Sequence, residues 1–257
     1  MFDIIFPAYN AQHYWNTHYT YVLNIFKALH CQIKFELNPY FVVSINGQKV
    51  LFDYADTSDI PDCPIKIFKF HSHIYTEKVI PFSPISFYDW EQYKTLETQI
   101  QYKGESDIIS YKQRAYATAS IRRQKVQDIL KNNFRDCLLM NHTSQVHYWQ
   151  EINDIFLAVF VPGFCNNMLD RAALQYMGLG CPIITTEIPE YLPYYEKLIA
   201  GKHYIKCSND YSDLVSIIKS YQTLNKHKLQ EIGENAKELF QRTCTPVKIG
   251  QWIAQNL

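Results

Sequence analysis

Between Asp154 and Lys206 the chain reads as strand, glycine turn, helix, strand, helix, strand, an order that few folds accept. Residues 155–161 are an unbroken apolar run rich in β-branched and aromatic side chains, as a parallel strand covered on both faces should be. Gly163 breaks the run. Asn166 or Asn167 can cap the helix that follows, whose apolar positions Met168, Ala172, Leu174, Met177 and Leu179 lie near helical spacing, and Gly178 and Gly180 end it. Residues 181–185 supply the next strand, so the segment predicts a right-handed βαβ unit. Ligands of such sheets bind outside the carboxyl ends of the strands. Residues 162–171 fall there, and the first-turn amides of the helix are free to face an anion.

The same alternation runs through the rest of the chain. Residues 2–9 read as a strand and 14–30 as an amphipathic helix with Tyr21, Val22, Ile25, Phe26 and Leu29 inward. Strands at 41–45 and 49–54 flank Asn46-Gly47, a hairpin signal because a type I′ turn needs positive φ at both central positions. Strands at 65–70 and 78–82 and a helix at 87–101 follow. Polarity rises around Lys103-Gly104-Glu105-Ser106, which marks a domain boundary. Beyond it come a strand at 107–111, a helix at 121–132, a strand at 137–140 and a helix or turn at 145–151. After the βαβ unit, helices are expected at 211–221 and 226–242, and a last one starts at Pro246. A chain of 257 residues with this alternation predicts two α/β domains, residues 1–104 and 105–245, plus a terminal helix at 246–257.

Formal net charge is zero, so nothing attracts a polyanion globally and no nucleic-acid partner is expected. Arginine is scarce, six against nineteen lysines, and three of the six, Arg114, Arg122 and Arg123, fall within ten residues of one another. Seven cysteines with no Cys-x-x-Cys pair suit reduced, buried thiols in a cytoplasmic protein. No signal peptide or membrane span is read in the sequence. Gly-x-Gly-x-x-Gly, the Gly-x4-Gly-Lys-Ser/Thr loop and the Gly-x-Ser-x-Gly elbow are missing, against a dehydrogenase, an NTPase or a hydrolase.

The segment from Arg171 to Ile183, Arg-Ala-Ala-Leu-Gln-Tyr-Met-Gly-Leu-Gly-Cys-Pro-Ile, resembles the donor-site helix and strand of GT-B glycosyltransferases. Leu192-Pro193, residues 201–206 and residues 210–214 resemble the segment after it in exostosin-like and capsule-type members. Arg114 with Arg122-Arg123 matches the basic loop after the domain's first strand, and the helix from Pro246 resembles one that crosses back to the first domain. The likeness covers roughly residues 107–257 and is thinner in the first half, at residues 51–56, 69–75 and 81–84. It implies a GT-B fold, two Rossmann-like domains facing a central cleft with the N-terminal one abbreviated. It implies transfer of a sugar from a UDP- or GDP-linked donor to a hydroxyl of an oligosaccharide, polysaccharide or glycoprotein glycan, by a protein that is soluble or peripherally attached to a membrane. One departure stands out: many retaining members carry two glutamates where this chain has Asn167 and Gln175, so inversion is favoured slightly.

With no cofactor and no metal expected, charge developing on the departing diphosphate must meet guanidinium, ammonium and helix-terminal amides. Lys112, Arg114, Arg122, Arg123 and Arg171 are the candidates, with Asn166, Asn167, Asp170, Gln175, His142 and Glu190 also placed to touch the donor. Inversion needs a general base from the first domain, for which Asp56, Asp53 and His13 are the entries, at or near strand carboxyl ends. His71 and His73 share a strand face but find no third and fourth ligand at useful spacing for zinc. The rival readings are a nucleotide-sugar epimerase and a non-catalytic nucleotide- or glycan-binding protein of the same fold.

Overall fold

The computed structural model describes residues 2–9, 16–55, 59–70, 72, 74–82, 90–113, 120–140, 144–162, 171–188, 196–223 and 226–257. The chain divides into two compact units, one from Met1–Trp90, Glu190–Glu196 and Arg242–Leu257, the other from Glu91–Pro189 and Lys197–Gln241.

Unit 1 is built on strands β1 (Asp3–Pro7), β2 (Gln32–Glu36), β3 (Val42–Ile45), β4 (Gln48–Asp53), β5 (Lys66–Phe70) and β6 (Val79–Phe82), in the order β2-β1-β3-β4-β5-β6. β3 runs antiparallel to both β1 and β4, while the other pairings are parallel. The reversal is the Asn46-Gly47 hairpin, whose residues take φ of 50° and 83°. Five of the six strands therefore point the same way, and β1, β4 and β5 end at one edge of the sheet. Alternation along each strand turns Ile4, Phe6, Val43, Ile45, Val50, Phe52, Phe68, Ile80 and Phe82 into one core, covered by helix α1 (Asn16–Ala28) and the C-terminal helix Pro246–Gln255. From α1 come Tyr21, Val22, Ile25 and Phe26, and from the C-terminal helix Ile249 and Ile253. Thr245 caps that last helix, accepting from Lys248 N at 3.3 Å, with Pro246 in its first turn.

Unit 2 carries β7 (Ile109–Ser110), β8 (Leu138–Leu139), β9 (Leu157–Val159), β10 (Ile183–Thr185) and β11 (Ile205–Lys206), all parallel, in the order β11-β10-β9-β7-β8. Its helices are α2 (Trp90–Gln99), α3 (Ser120–Phe134), α4 (Gln145–Gln150), α5 (Arg171–Gly178), α6 (Leu214–Thr223) and α7 (Lys226–Thr243). The β9-α5-β10 crossover is the predicted βαβ unit, and residues 155–161 are buried throughout although only three of them pair as a strand. α2 belongs to this unit: Tyr93 donates its hydroxyl to Gly178 O at 2.9 Å. α7 closes on the turn after α5, and Gly233 permits it, because a Cβ there would lie 2.1 Å from Gly180 O.

α6 begins three residues later than the sequence predicts. Tyr211 takes a φ of 61°, in the left-handed region, and two carboxylates hold the turn around it. Asp213 accepts from Ser208 N at 2.9 Å, and Asp210 accepts from the hydroxyl of Ser212 at 2.8 Å. Hydrogen bonds from Ser212, hydroxyl first and amide second, push the Asp210 carboxyl down to about 2.

The six described cysteines are free thiols. Cys181, Cys207 and Cys244 are buried, and burial raises the Cys181 thiol well above its ordinary range and Cys207 to about 12. No helix among the described residues is long and apolar enough to cross a membrane.

Candidate functional site

The strand order of unit 2 contains a switch point. From β7 the chain moves one way to β8; it then returns to β9 on the other side of β7 and continues outward to β10 and β11. The crossovers on either side of β7 and β9 therefore diverge, and a crevice opens at the carboxyl ends of these two strands. A hollow of about 320 Å³ lies there. Ser110, Lys112 and Gln113 enter it from the end of β7, Val159 and Phe160 from the end of β9, Tyr148 from α4, and Arg171, Gln175 and Tyr176 from α5.

Lys112 is the buried cation of the hollow, its side chain 6% exposed. Its ammonium pairs with the carboxylate of Glu151, in the 3-10 turn Glu151–Asn153 that continues α4, and lies 5.6 Å from the ring centroid of Tyr148. The turn is anchored by Trp149 and Ile152, both buried. Gln113 is committed to backbone: its amide nitrogen donates to Val161 O at 3.0 Å and its oxygen accepts from Val161 N, tying the β7 end to the β9 end.

Gln175, 2% exposed, faces Trp149, whose indole nitrogen donates to Gln175 Oε1 at 3.3 Å. Indole is a donor only, so it takes the oxygen end of the amide and leaves Gln175 with donor hydrogens for its other contacts. The Ser110 and Tyr176 hydroxyls share a hydrogen bond of 2.9 Å, and burial raises the Tyr176 phenol far above its ordinary range despite that bond. With two cations and no carboxylate among its described lining residues, the hollow is suited to an anionic ligand.

Of the expected donor-side residues, the structure thus brings Lys112, Arg171 and Gln175 together. Arg122 and Arg123 are not among the described residues lining the hollow. Arg123 falls in register with Val126, Leu130 and Phe134 on the inner face of α3, and all four are buried. Tyr111 donates its hydroxyl to Arg123 O at 2.9 Å. Both arginines bear on Tyr211, whose phenol burial pushes up to about 12 while their charge opposes the rise. Helical periodicity through Arg123, Val126 and Leu130 was the available signal that this guanidinium turns inward. Arg114, His142, Asn166, Asn167, Asp170 and Glu190 lie outside the described residues.

Among the expected bases, Asp53 has a different task. Its Oδ2 pairs with Lys69 Nζ at 2.9 Å and its Oδ1 accepts from Ala55 N at 3.0 Å, while Lys69 also donates to Ala55 O at 2.7 Å. The two side chains are 4% and 1% exposed, directly opposite on adjacent parallel strands. A carboxylate so engaged holds the end of β4 to β5. Asp56 and His13 lie outside the described residues, as do His71 and His73. No group of three metal-ligating side chains converges among the described residues. Glu151 was missed from sequence, since it belongs to no motif and only the fold brings it to Lys112.

No protein-family model matches the sequence, and no curated protein does. Solved structures similar to this chain include two that bear on its fold or ligands by name. HepE (Alr3699) of Anabaena, solved in complex with UDP and glucose, is 12% identical over 65% of this chain, with a TM-score of 0.44; the chain spans 52% of that protein's length. AviGT4, a glycosyltransferase involved in avilamycin A biosynthesis, is 9% identical over 91% of this chain and 86% of its own, with a TM-score of 0.53. The fold is of the GT-B class, mixed α/β with two bodies, each around its own largely parallel sheet.

Proposed function

We propose that the chain is a glycosyltransferase that moves a sugar from a UDP- or GDP-linked donor to a hydroxyl of a glycan acceptor. The observation that carries this reading is the hollow at the β7/β9 switch point, where Lys112, Arg171 and Gln175 converge and no described carboxylate intrudes. Transfer passes through an oxocarbenium-like state in which negative charge grows on the departing diphosphate. In a partly enclosed hollow, cations already in place stabilise that charge without reorganising during the reaction. Arg171 offers a planar fork suited to phosphate, and Lys112 a point charge fixed by its partners. The amides near Asn167 and the arginine at 114 complete the donor contacts in this reading. Unit 1 supplies the acceptor surface, with Asp56 or His13 as the base that takes the hydroxyl proton if the reaction inverts. Chelation of divalent metals leaves such a reaction unchanged.

Thermal-shift measurement against UDP, GDP and their sugar conjugates tests the reading. A ligand at a hundred times its Kd adds about 2.7 kcal/mol to the folded state, a rise of several degrees. One nucleotide family is expected to give that rise with or without EDTA, and a flat response to all of them sinks the proposal. Asp53 is already paired with Lys69, an observation that supports a binding protein of the same fold as the second reading. In that case Asp56→Asn and His13→Ala keep nucleotide affinity, and the parent protein shows no turnover for them to lose.

A further inference from the structure

The Lys112 ammonium is held on two sides by groups of very different character. One is the Glu151 carboxylate; the other is the face of Tyr148, which also lines the hollow. Glu151 is not itself a lining residue and is 24% exposed, so it reaches the ammonium from behind the wall. Its backbone is fixed, because Glu151 O accepts from Asp154 N at 3.0 Å, and Trp149 and Ile152 on either side are buried. A lysine stem has four rotatable bonds and little preference among rotamers. The carboxylate and the ring choose one.

The charge count follows from the same contact. The described lining has two cations, Lys112 and Arg171, and Glu151 offsets one of them. From this we propose that Glu151 is a positioning residue of the donor site, fixing the Lys112 ammonium in the wall and offsetting its charge. The assignment rests on the reading of the hollow as a donor site. Its consequence is a division between binding and reaction. A looser, uncompensated ammonium attracts a ground-state diphosphate more strongly, yet it no longer sits where the leaving group's charge develops.

The experiment pairs Glu151→Gln with Glu151→Asp in the full chain. Calorimetry measures UDP and GDP affinity, and turnover is followed with whichever nucleotide sugar stabilises the parent protein most. Glu151→Gln is expected to bind the nucleoside diphosphate on the order of tenfold more tightly, since one nearby negative charge is gone, while kcat falls roughly 10- to 100-fold. Glu151→Asp keeps the charge but draws the ammonium back, so affinity stays within about twofold while kcat falls on the order of tenfold. A merely structural role would lower melting temperature and leave the two parameters moving together. Weaker or unchanged affinity in a folded Glu151→Gln overturns the assignment. If that variant does not fold, an unchanged kcat in Glu151→Asp overturns it alone. A parent protein that binds neither UDP nor GDP overturns the donor-site reading, which is a separate failure.

Discussion

Lys69→Met lowers the stability of the protein by about 3–5 kcal/mol, because it leaves the Asp53 carboxylate buried without its cation. The pair is nearly sealed from water, with side chains 1% and 4% exposed, and Lys69 meets both Asp53 Oδ2 and Ala55 O. Removing both charges should cost far less. In the double variant Asp53→Asn/Lys69→Met, the asparagine oxygen can still accept from Ala55 N. Stability within about 1–2 kcal/mol of the parent is expected, since neutral replacements of a buried pair are often tolerated. Urea unfolding of the three proteins measures the difference. A Lys69→Met cost below about 1 kcal/mol would mean the pair is wetter than its geometry implies.

The second large effect follows from the proposal that the hollow is a donor site, and it is catalytic. Arg171→Met is expected to reduce turnover by about 10²-fold or more, the usual cost of removing one preorganised partner of a developing charge. Stability should stay within about 0.5 kcal/mol of the parent, because Arg171 stands exposed at the first position of α5. Arg171→Lys recovers only part of the loss, since an ammonium cannot reproduce the two parallel hydrogen bonds of a guanidinium fork. Steady-state kinetics beside urea unfolding separates the two readouts. Full turnover in a folded Arg171→Met variant removes the hollow from consideration as the donor site.

What could be seen in the bare sequence follows the strength of local signals. Asn46-Gly47 announced its hairpin because few residues accept positive φ twice in succession, and β9 was visible because both of its faces are buried. β2 escaped notice: it is an edge strand whose residues are mostly exposed, so burial imposed no pattern on Gln32–Glu36. The start of α6 was misjudged because side-chain hydrogen bonds at Asp210 and Asp213 override helical periodicity, leaving Tyr211 outside the helix. Of the residues that line the hollow, Lys112 and Arg171 entered the sequence reading because their types suit phosphate, and Gln175 because it stands where the resembled family carries a glutamate. Pairings between distant segments were not legible. Asp53 meets Lys69 through the register of two parallel strands, and Glu151 meets Lys112 through the return of β9 beside β7. Neither register is written in nearby residues.

Each unit also carries its own reporter of local opening. Cys181 and Cys207 are sealed within one unit and Cys244 within the other, and burial keeps the first two protonated at neutral pH. An alkylating reagent therefore reaches them only through molecules that have transiently breathed open. The rate at which each thiol is captured becomes a clock for its own unit, so the two halves can be timed separately without introducing a foreign label.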